Sequence, residues 1–238
     1  MRFVLVHGSW HDARCWGAVR DFLETQGHET HALTLPGNGE RANPAVTMSE
    51  TARAVTDFIE ERDLRDVILV GHSFGGAVVQ LAAPGVPGRL KRLVFYNAYV
   101  IEHGRSVFSY VPESVAGAFQ ALASPDGTLT LPFAFFRDHL MNDADHATAV
   151  AAYALLSPEP LARSAEPLDL TGFDTLPVPR SYLYAYGDNV FPAAEFTWHP
   201  GMSKRLGDFR LVVIPGGHEL MFSDPKALGR GLVTAGQD

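Results

Sequence analysis

The chain has 238 residues and a formal net charge of −8 at pH 7, long enough for one domain, or one domain with an insertion, and a sizeable core. No basic tract offsets that charge, which argues against nucleic acid or an anionic membrane as a partner, since neither attracts an acidic surface. Hydrophobic residues at 46% and charged residues at 19% are ordinary for a soluble globular protein. Cys15 is the single cysteine, so no intrachain disulfide and no cysteine metal cluster can form. Its place in an amphipathic segment predicts a buried structural thiol. No apolar run approaches the roughly 18 residues that a membrane span requires. The N-terminal residues lack the charged, apolar and small-residue regions of a signal peptide. A reducing cytoplasm is the expected location.

Short apolar runs alternate with amphipathic segments through the first hundred residues. Arg2–Val6 reads as a strand, and 14–26 as a helix with Trp16, Val19, Phe22 and Leu23 on one face. A second strand, 31–35, ends in the turn-forming Pro36-Gly37-Asn38-Gly39. Residues 48–62 read as a helix capped by Thr47 or Ser49, with Ala52, Val55, Phe58 and Ile59 in register. Strand 67–71, helix 74–83 and strand 91–97 follow. This alternation predicts an α/β fold with a doubly wound, mostly parallel sheet.

The rhythm breaks over 100–176, where proline-interrupted helical segments (113–123, 133–141, 143–156) contain no convincing buried strand. An insertion there, over the carboxyl ends of the strands, would act as a helical cap or lid. The expected organisation is a core of 1–99 and 177–238 with a cap of 100–176. Alternation resumes with strand 180–186, a helix near 193–205, strand 209–214 and helix 225–234.

Chemistry concentrates at Gly71-His72-Ser73-Phe74-Gly75, between an apolar strand and a helix-compatible segment. This is the G-x-S-x-G nucleophile elbow in its required strand–turn–helix context. A serine hydroxyl becomes a useful nucleophile only where a base can take its proton. Glycines at 71 and 75 let strand and helix approach each other. The helix start behind Ser73 supplies free N–H groups where an oxyanion develops.

In this arrangement acid and base follow the serine in chain order, each after a late strand. His218, in Pro215-Gly216-Gly217-His218-Glu219, is the expected base, and Asp188, after strand 180–186, the expected acid. His28, His31, His103, His139, His146 and His199 lack such a context and read as solvated or hydrogen-bonded side chains. Asp174, Asp208 and Asp224 read as solvated loop carboxylates. The oxyanion hole should combine the backbone N–H of Phe74 with that of Ser9 in the loop after the first strand. Trp10 reads equally as a structural plug or as part of the substrate-binding pocket.

These motifs resemble the α/β-hydrolase superfamily, and within it the compact branch of esterases, plant methylesterases and hydroxynitrile lyases. The resemblance rests on His7-Gly8-Ser9-Trp10-His11 with Cys15-Trp16, on Leu33-Thr34-Leu35-Pro36-Gly37-Asn38-Gly39 and on the elbow. It extends through Ser157-Pro158-Glu159-Pro160-Leu161, which looks like the branch's cap motif, to Gly217-His218-Glu219 with Asp224-Pro225. Where the hydroxynitrile lyases of that branch carry threonine and lysine, this chain has Gly8 and Glu219. An acid in place of the lysine removes the charge that balances cyanide. The stretch 191–205, with Trp198-His199-Pro200-Gly201, also departs from the branch's late-loop pattern.

Three readings follow. The first is a serine hydrolase acting on a small or medium carboxylic ester or lactone, with no metal and no organic cofactor. Phe108, Tyr110, Phe119, Phe133, Phe135, Phe136 and Tyr153 in the insertion point to a hydrophobic or ring-containing small-molecule substrate, although most of them are expected to form the cap core. The second is lyase, ring-forming, ring-opening or cofactor-free oxygen chemistry on the same scaffold. The third is a ligand receptor with a hydrolase pocket. A homodimer is a common state for soluble enzymes, and nothing in the sequence fixes the oligomeric state.

Overall fold

The structure, a computed structural model, describes residues 1–191 and 196–238. Six parallel strands form the main sheet in the order β2-β1-β3-β4-β7-β8. They are β1 (Arg2–Val6), β2 (Glu29–Leu33), β3 (Val67–His72), β4 (Leu90–Tyr96), β7 (Arg180–Ala185) and β8 (Arg210–Ile214). β3 lies near the centre and every one of its residues is buried, which is why it reads as a continuous apolar run rather than an alternating one.

Successive side chains of the central strands feed two cores. Val4, Val6, Val67 and Leu69 pack toward α2 (Met48–Glu61) and α3 (Gly75–Ala82). Phe3, Leu5, Ile68 and Val70 pack toward α1 (Gly17–Thr25) and the C-terminal helix α9 (Pro225–Gly236). Cys15 and Trp16 are buried in this second core. α2 forms where its pattern predicts, with Met48, Ala52, Val55 and Ile59 on the buried face. Thr47 is its cap: the hydroxyl accepts from Glu50 N while the Glu50 carboxylate accepts from Thr47 N, a capping box worth about 1 kcal/mol.

β2 comes two residues earlier than the sequence predicts, at Glu29–Leu33. The reason is local: Leu35 N donates to His7 Nε2 at 3.0 Å, so the chain has left the strand ladder by that residue.

Between β4 and β7 lie α4 (Glu113–Leu122), β5 (Thr128–Leu129), α5 (Phe133–Phe135) with a wider turn Phe136–Leu140, α6 (His146–Tyr153), β6 (Glu159–Pro160) and α7 (Leu161–Ala165). Leu131, Phe136, Leu140, Met141, Ala149 and Ala152 form a separate small core here. The antiparallel ladder between β5 and β6 pairs Leu129 with Glu159. Two residues per strand are too few for a period-two pattern, so this pair is absent from the sequence reading.

The helix predicted near 193–205 lies partly outside the described residues. Its described remainder is two short turns, Trp198–Met202 and Ser203–Leu206, interrupted at His199 (φ −135°, ψ 129°), which is extended as the residue before Pro200 favours. A short helix not predicted, α8 (Leu220–Ser223), precedes α9. Among the described residues no helix is long and apolar enough to cross a membrane.

Candidate active site

Ser73 occupies the turn between β3 and α3 with φ 51°, a left-handed conformation that costs a non-glycine residue energy and is held only by its surroundings. Those surroundings are visible. Ser73 N donates to Tyr96 O at 3.3 Å and Tyr99 N donates to Ser73 O at 3.1 Å, tying the elbow to the end of β4. A Cβ on Gly75 would lie 2.7 Å from the carbonyl oxygens of Val6 and His7, so only glycine lets α3 start this close to β1. The Ser73 side chain is half-buried and faces a cavity of about 360 Å³.

His218 lines the same cavity. It follows β8 on a loop where Gly216 has φ 119°, a value glycine adopts readily. The backbone of this loop is pinned from below, with Tyr96 Oη donating to His218 O at 2.9 Å and His72 Nε2 donating to it at 3.1 Å. Because a carbonyl only accepts, His72 carries its proton on Nε2. Burial drives the pKa of His72 well below the ordinary histidine value, so the ring is neutral.

The structure brings His218 and Asp188 into direct contact. His218 Nδ1 lies 2.5 Å from Asp188 Oδ2, with the side chains 3% and 0% exposed. The carboxylate holds the proton on Nδ1 and leaves Nε2 with its lone pair. Burial alone would lower the imidazole pKa, but the charge and hydrogen bond of Asp188 outweigh it and the net shift is upward.

Asp188 is itself positioned. Its Oδ1 accepts from Val190 N at 2.9 Å, and its Oδ2 also accepts from Asn97 Nδ2 at 2.7 Å. Asn97, at the end of β4 with φ 33°, is locked to β7 in both directions: Nδ2 donates to Ala185 O and Oδ1 accepts from Ala185 N. The backbone N–H groups of Ser9 and Phe74, the predicted oxyanion donors, make no hydrogen bond to any described residue. Ser9 and Trp10 both line the cavity. Trp10 is structural as well, since its Nε1 donates to Leu129 O and its ring packs edge-on against Phe119.

The segment between β4 and β7 supplies most of the remaining wall, including Val107, Phe108, Phe119, Phe135 and Leu161. Several residues of the site escape the sequence reading. Asn97 reads there as the end of a strand. Its signal is a polar side chain at the carboxyl end of an apolar strand, where α/β sheets place their functional groups. Trp198 stacks on His218 with ring centroids 5.3 Å apart and planes 18° apart, and nothing in its sequence neighbourhood announces that contact. His139, expected to be solvated or hydrogen-bonded, is half-buried and lines the cavity with its ring against Phe135.

Among the described residues, one group of metal-ligating side chains has its donor atoms within 4.8 Å of one another: His72, His218 and Glu219. Since it includes the histidine paired with Asp188, a cation there would take that imidazole away from proton transfer.

Comparison with known proteins bears on this arrangement. A family model described as the alpha/beta hydrolase family matches residues 3–230. The chain is 31% identical over 245 residues to a carbendazim hydrolyzing esterase of Nocardioides sp. (strain SG-4G), covering 98% of this chain and 99% of that protein. It is 26% identical to an alpha-hydroxynitrile lyase of Arabidopsis thaliana, covering 99% and 97%. Among solved structures it superimposes on an extracellular alpha/beta-hydrolase from a Paenibacillus species with a TM-score of 0.97 and 39% identity over the whole of both chains. That protein is described as sharing structural and functional homology with tobacco salicylic acid binding protein 2. On the strength of a family match that runs nearly end to end, the chain belongs to the alpha/beta hydrolase family.

Proposed function

We propose that this protein is a serine carboxylesterase acting on small or medium carboxylic esters or lactones with an apolar, ring-containing body. The observation that carries the reading is the buried His218–Asp188 pair beside a cavity that Ser73 also lines. In this mechanism His218 Nε2 takes the proton of Ser73 Oγ as the hydroxyl oxygen attacks the ester carbonyl. The carbonyl oxygen becomes an oxyanion and draws on the free N–H groups of Ser9 and Phe74. The imidazolium returns its proton to the departing alkoxide, leaving an acyl-enzyme on Ser73. His218 then deprotonates a water molecule, which releases the acid and restores the serine. Asp188 orients the imidazole and stabilises its charge throughout, and Asn97 orients Asp188.

The substrate class follows from the walls. Aromatic and aliphatic side chains make up much of the cavity wall, and Ser73 and His218 also line it, so a flat or ring-containing hydrophobic group fills the space and leaves one carbonyl at the serine. The names of the esterase relative and of the Paenibacillus protein agree with such a compound. Residues 100–176 serve as the cap that shields this group from water, over a core of 1–99 and 177–238.

Cyanohydrin cleavage has less support despite the lyase relative. A Cβ on Gly8 would lie 2.9 Å from Ser73 Cβ and 3.1 Å from His72 Nδ1, so threonine at this position displaces the serine. The neighbour of His218 is the buried acid Glu219 rather than a cation. The test is turnover of a panel of aryl and cycloalkyl esters, lactones and a cyanohydrin by the native chain and by Ser73→Ala. Ester or lactone hydrolysis that disappears in the variant supports the reading, and turnover of the cyanohydrin alone contradicts it.

A further inference from the structure

The Ser9–Trp10 peptide unit is held at both of its ends by buried acids. Its N–H, that of Trp10, donates to Glu159 Oε2 at 2.9 Å. Its carbonyl, that of Ser9, lies 2.8 Å from His11 Nδ1. Behind His11, Nε2 faces Glu219 Oε2 at the ion-pair distance of 3.3 Å, with both side chains 1% exposed and neither atom making a hydrogen bond to any described residue.

The Nδ1 end of His11 is fixed by its contact with the Ser9 carbonyl. A carbonyl oxygen only accepts, so Nδ1 carries a proton. Nε2 and the Glu219 carboxyl oxygen are then ion-pair neighbours inside a buried site. A buried carboxyl with no such partner is heavily penalised, which couples Glu219 to His11 and through it to the Ser9 carbonyl. On the other side Glu159 is fixed by Arg163, whose Nε and Nη2 donate to Glu159 Oε1 at 3.1 and 2.7 Å, and by Asn38 Nδ2 at 2.9 Å from Oε2. This bracing explains how Trp10 keeps φ 64°, an unfavourable value for a tryptophan.

We propose that Glu219, acting through His11, and Glu159, acting directly, are positioning residues that clamp the Ser9–Trp10 peptide and so aim the Ser9 N–H at the oxyanion. The inference rests on the serine-esterase reading. Neither acid touches the reacting atoms. Glu219 comes from the loop that carries His218 and Glu159 from the insertion, so the clamp ties base loop, cap and first-strand loop to one peptide plane.

The test compares Glu219→Leu, which fills the space without a polar group, with Glu219→Gln, whose amide N–H can donate to His11 Nε2. With an activated aryl ester, Glu219→Leu should lose about 10- to 100-fold in kcat, a fraction of what removing an oxyanion donor outright costs, while KM changes by less than about threefold. Affinity for a trifluoromethyl ketone, which forms a tetrahedral oxyanion on the serine, should fall in parallel with kcat. Glu219→Gln should restore both to within a few-fold of the native protein. Thermal unfolding verifies that each variant is folded, and Glu219→Met replaces the leucine variant should that one fail. A folded leucine or methionine variant with native kcat and native ketone affinity overturns the clamp, as does a glutamine variant that loses as much as the apolar ones. Failure of the esterase reading is distinguishable, because then Ser73→Ala retains native turnover.

Discussion

Trp198 lies nearly parallel over the imidazole of His218, while His72 approaches from within 4.6 Å of the same ring. The indole is held in turn by Tyr99 and Phe191, whose ring centroids lie 5.2 and 5.0 Å from it. Proton transfer from serine makes this imidazole a cation, and an indole face stabilises a cation by about 0.5–2 kcal/mol. Trp198→Leu should therefore lower kcat/KM by roughly 2- to 30-fold and move the acid limb of the pH–rate profile to lower pH. Steady-state rates measured across that limb test both effects.

The pH dependence of the native protein follows from the His218–Asp188 contact. A base must be unprotonated to act, and the net upward shift of His218 places the acid limb of kcat/KM above the ordinary histidine value of about 6.5. Asp188→Asn removes the charge that raises the imidazole and disturbs its tautomer. Its limb should move down, and its kcat should fall by about 10⁴-fold.

Gly8 is constrained by the nucleophile itself, since an added Cβ would meet Ser73 Cβ at 2.9 Å. Gly8→Thr should lose about 100-fold or more in ester turnover, the scale of a misplacement of about 1 Å in an active site, and gain no cyanohydrin cleavage. Parallel assays of both reactions on the purified variant check this.

Acid stability is set partly by His7. Burial lowers its pKa from 6.5 to about 3, with Nδ1 donating to Gly8 O and Nε2 accepting from Leu35 N. The folded pKa is below the unfolded one, so this contribution is complete above pH 6.5 and is lost as the pH falls toward about 3. The slope approaches about 1.4 kcal/mol per pH unit for one such group. In urea unfolding at a series of pH values, His7→Gln should flatten the decline between pH 6 and about 4 relative to the native chain.

The parts of this site legible in the sequence are those whose chemistry is encoded locally. Ser73 stands in a strand–turn–helix context that constrains its neighbours to glycine, and His218 follows a late strand on a glycine-rich loop. Asp188 is expected as the acid from position alone, and the structure places its carboxylate against His218. Asn97, Trp198 and the Glu159–Arg163 pair act through contacts between segments far apart in the chain, and no periodicity or spacing marks such contacts. The β5–β6 ladder was hidden for a different reason, being shorter than the pattern that identifies a strand. The cytoplasmic expectation had the weakest basis: one buried cysteine suits a secreted protein equally well, and the Paenibacillus relative is described as extracellular.

A serine esterase built on this site uses Ser73 Oγ as the nucleophile, activated by His218. Incubation with a fluorophosphonate, followed by intact-mass and peptide-mass analysis, tests it most directly. One phosphonyl group per chain is expected, located on Ser73, with turnover lost in proportion to labelling and no adduct in Ser73→Ala. Full turnover by Ser73→Ala, or an unlabelled Ser73 in an active native chain, would contradict it.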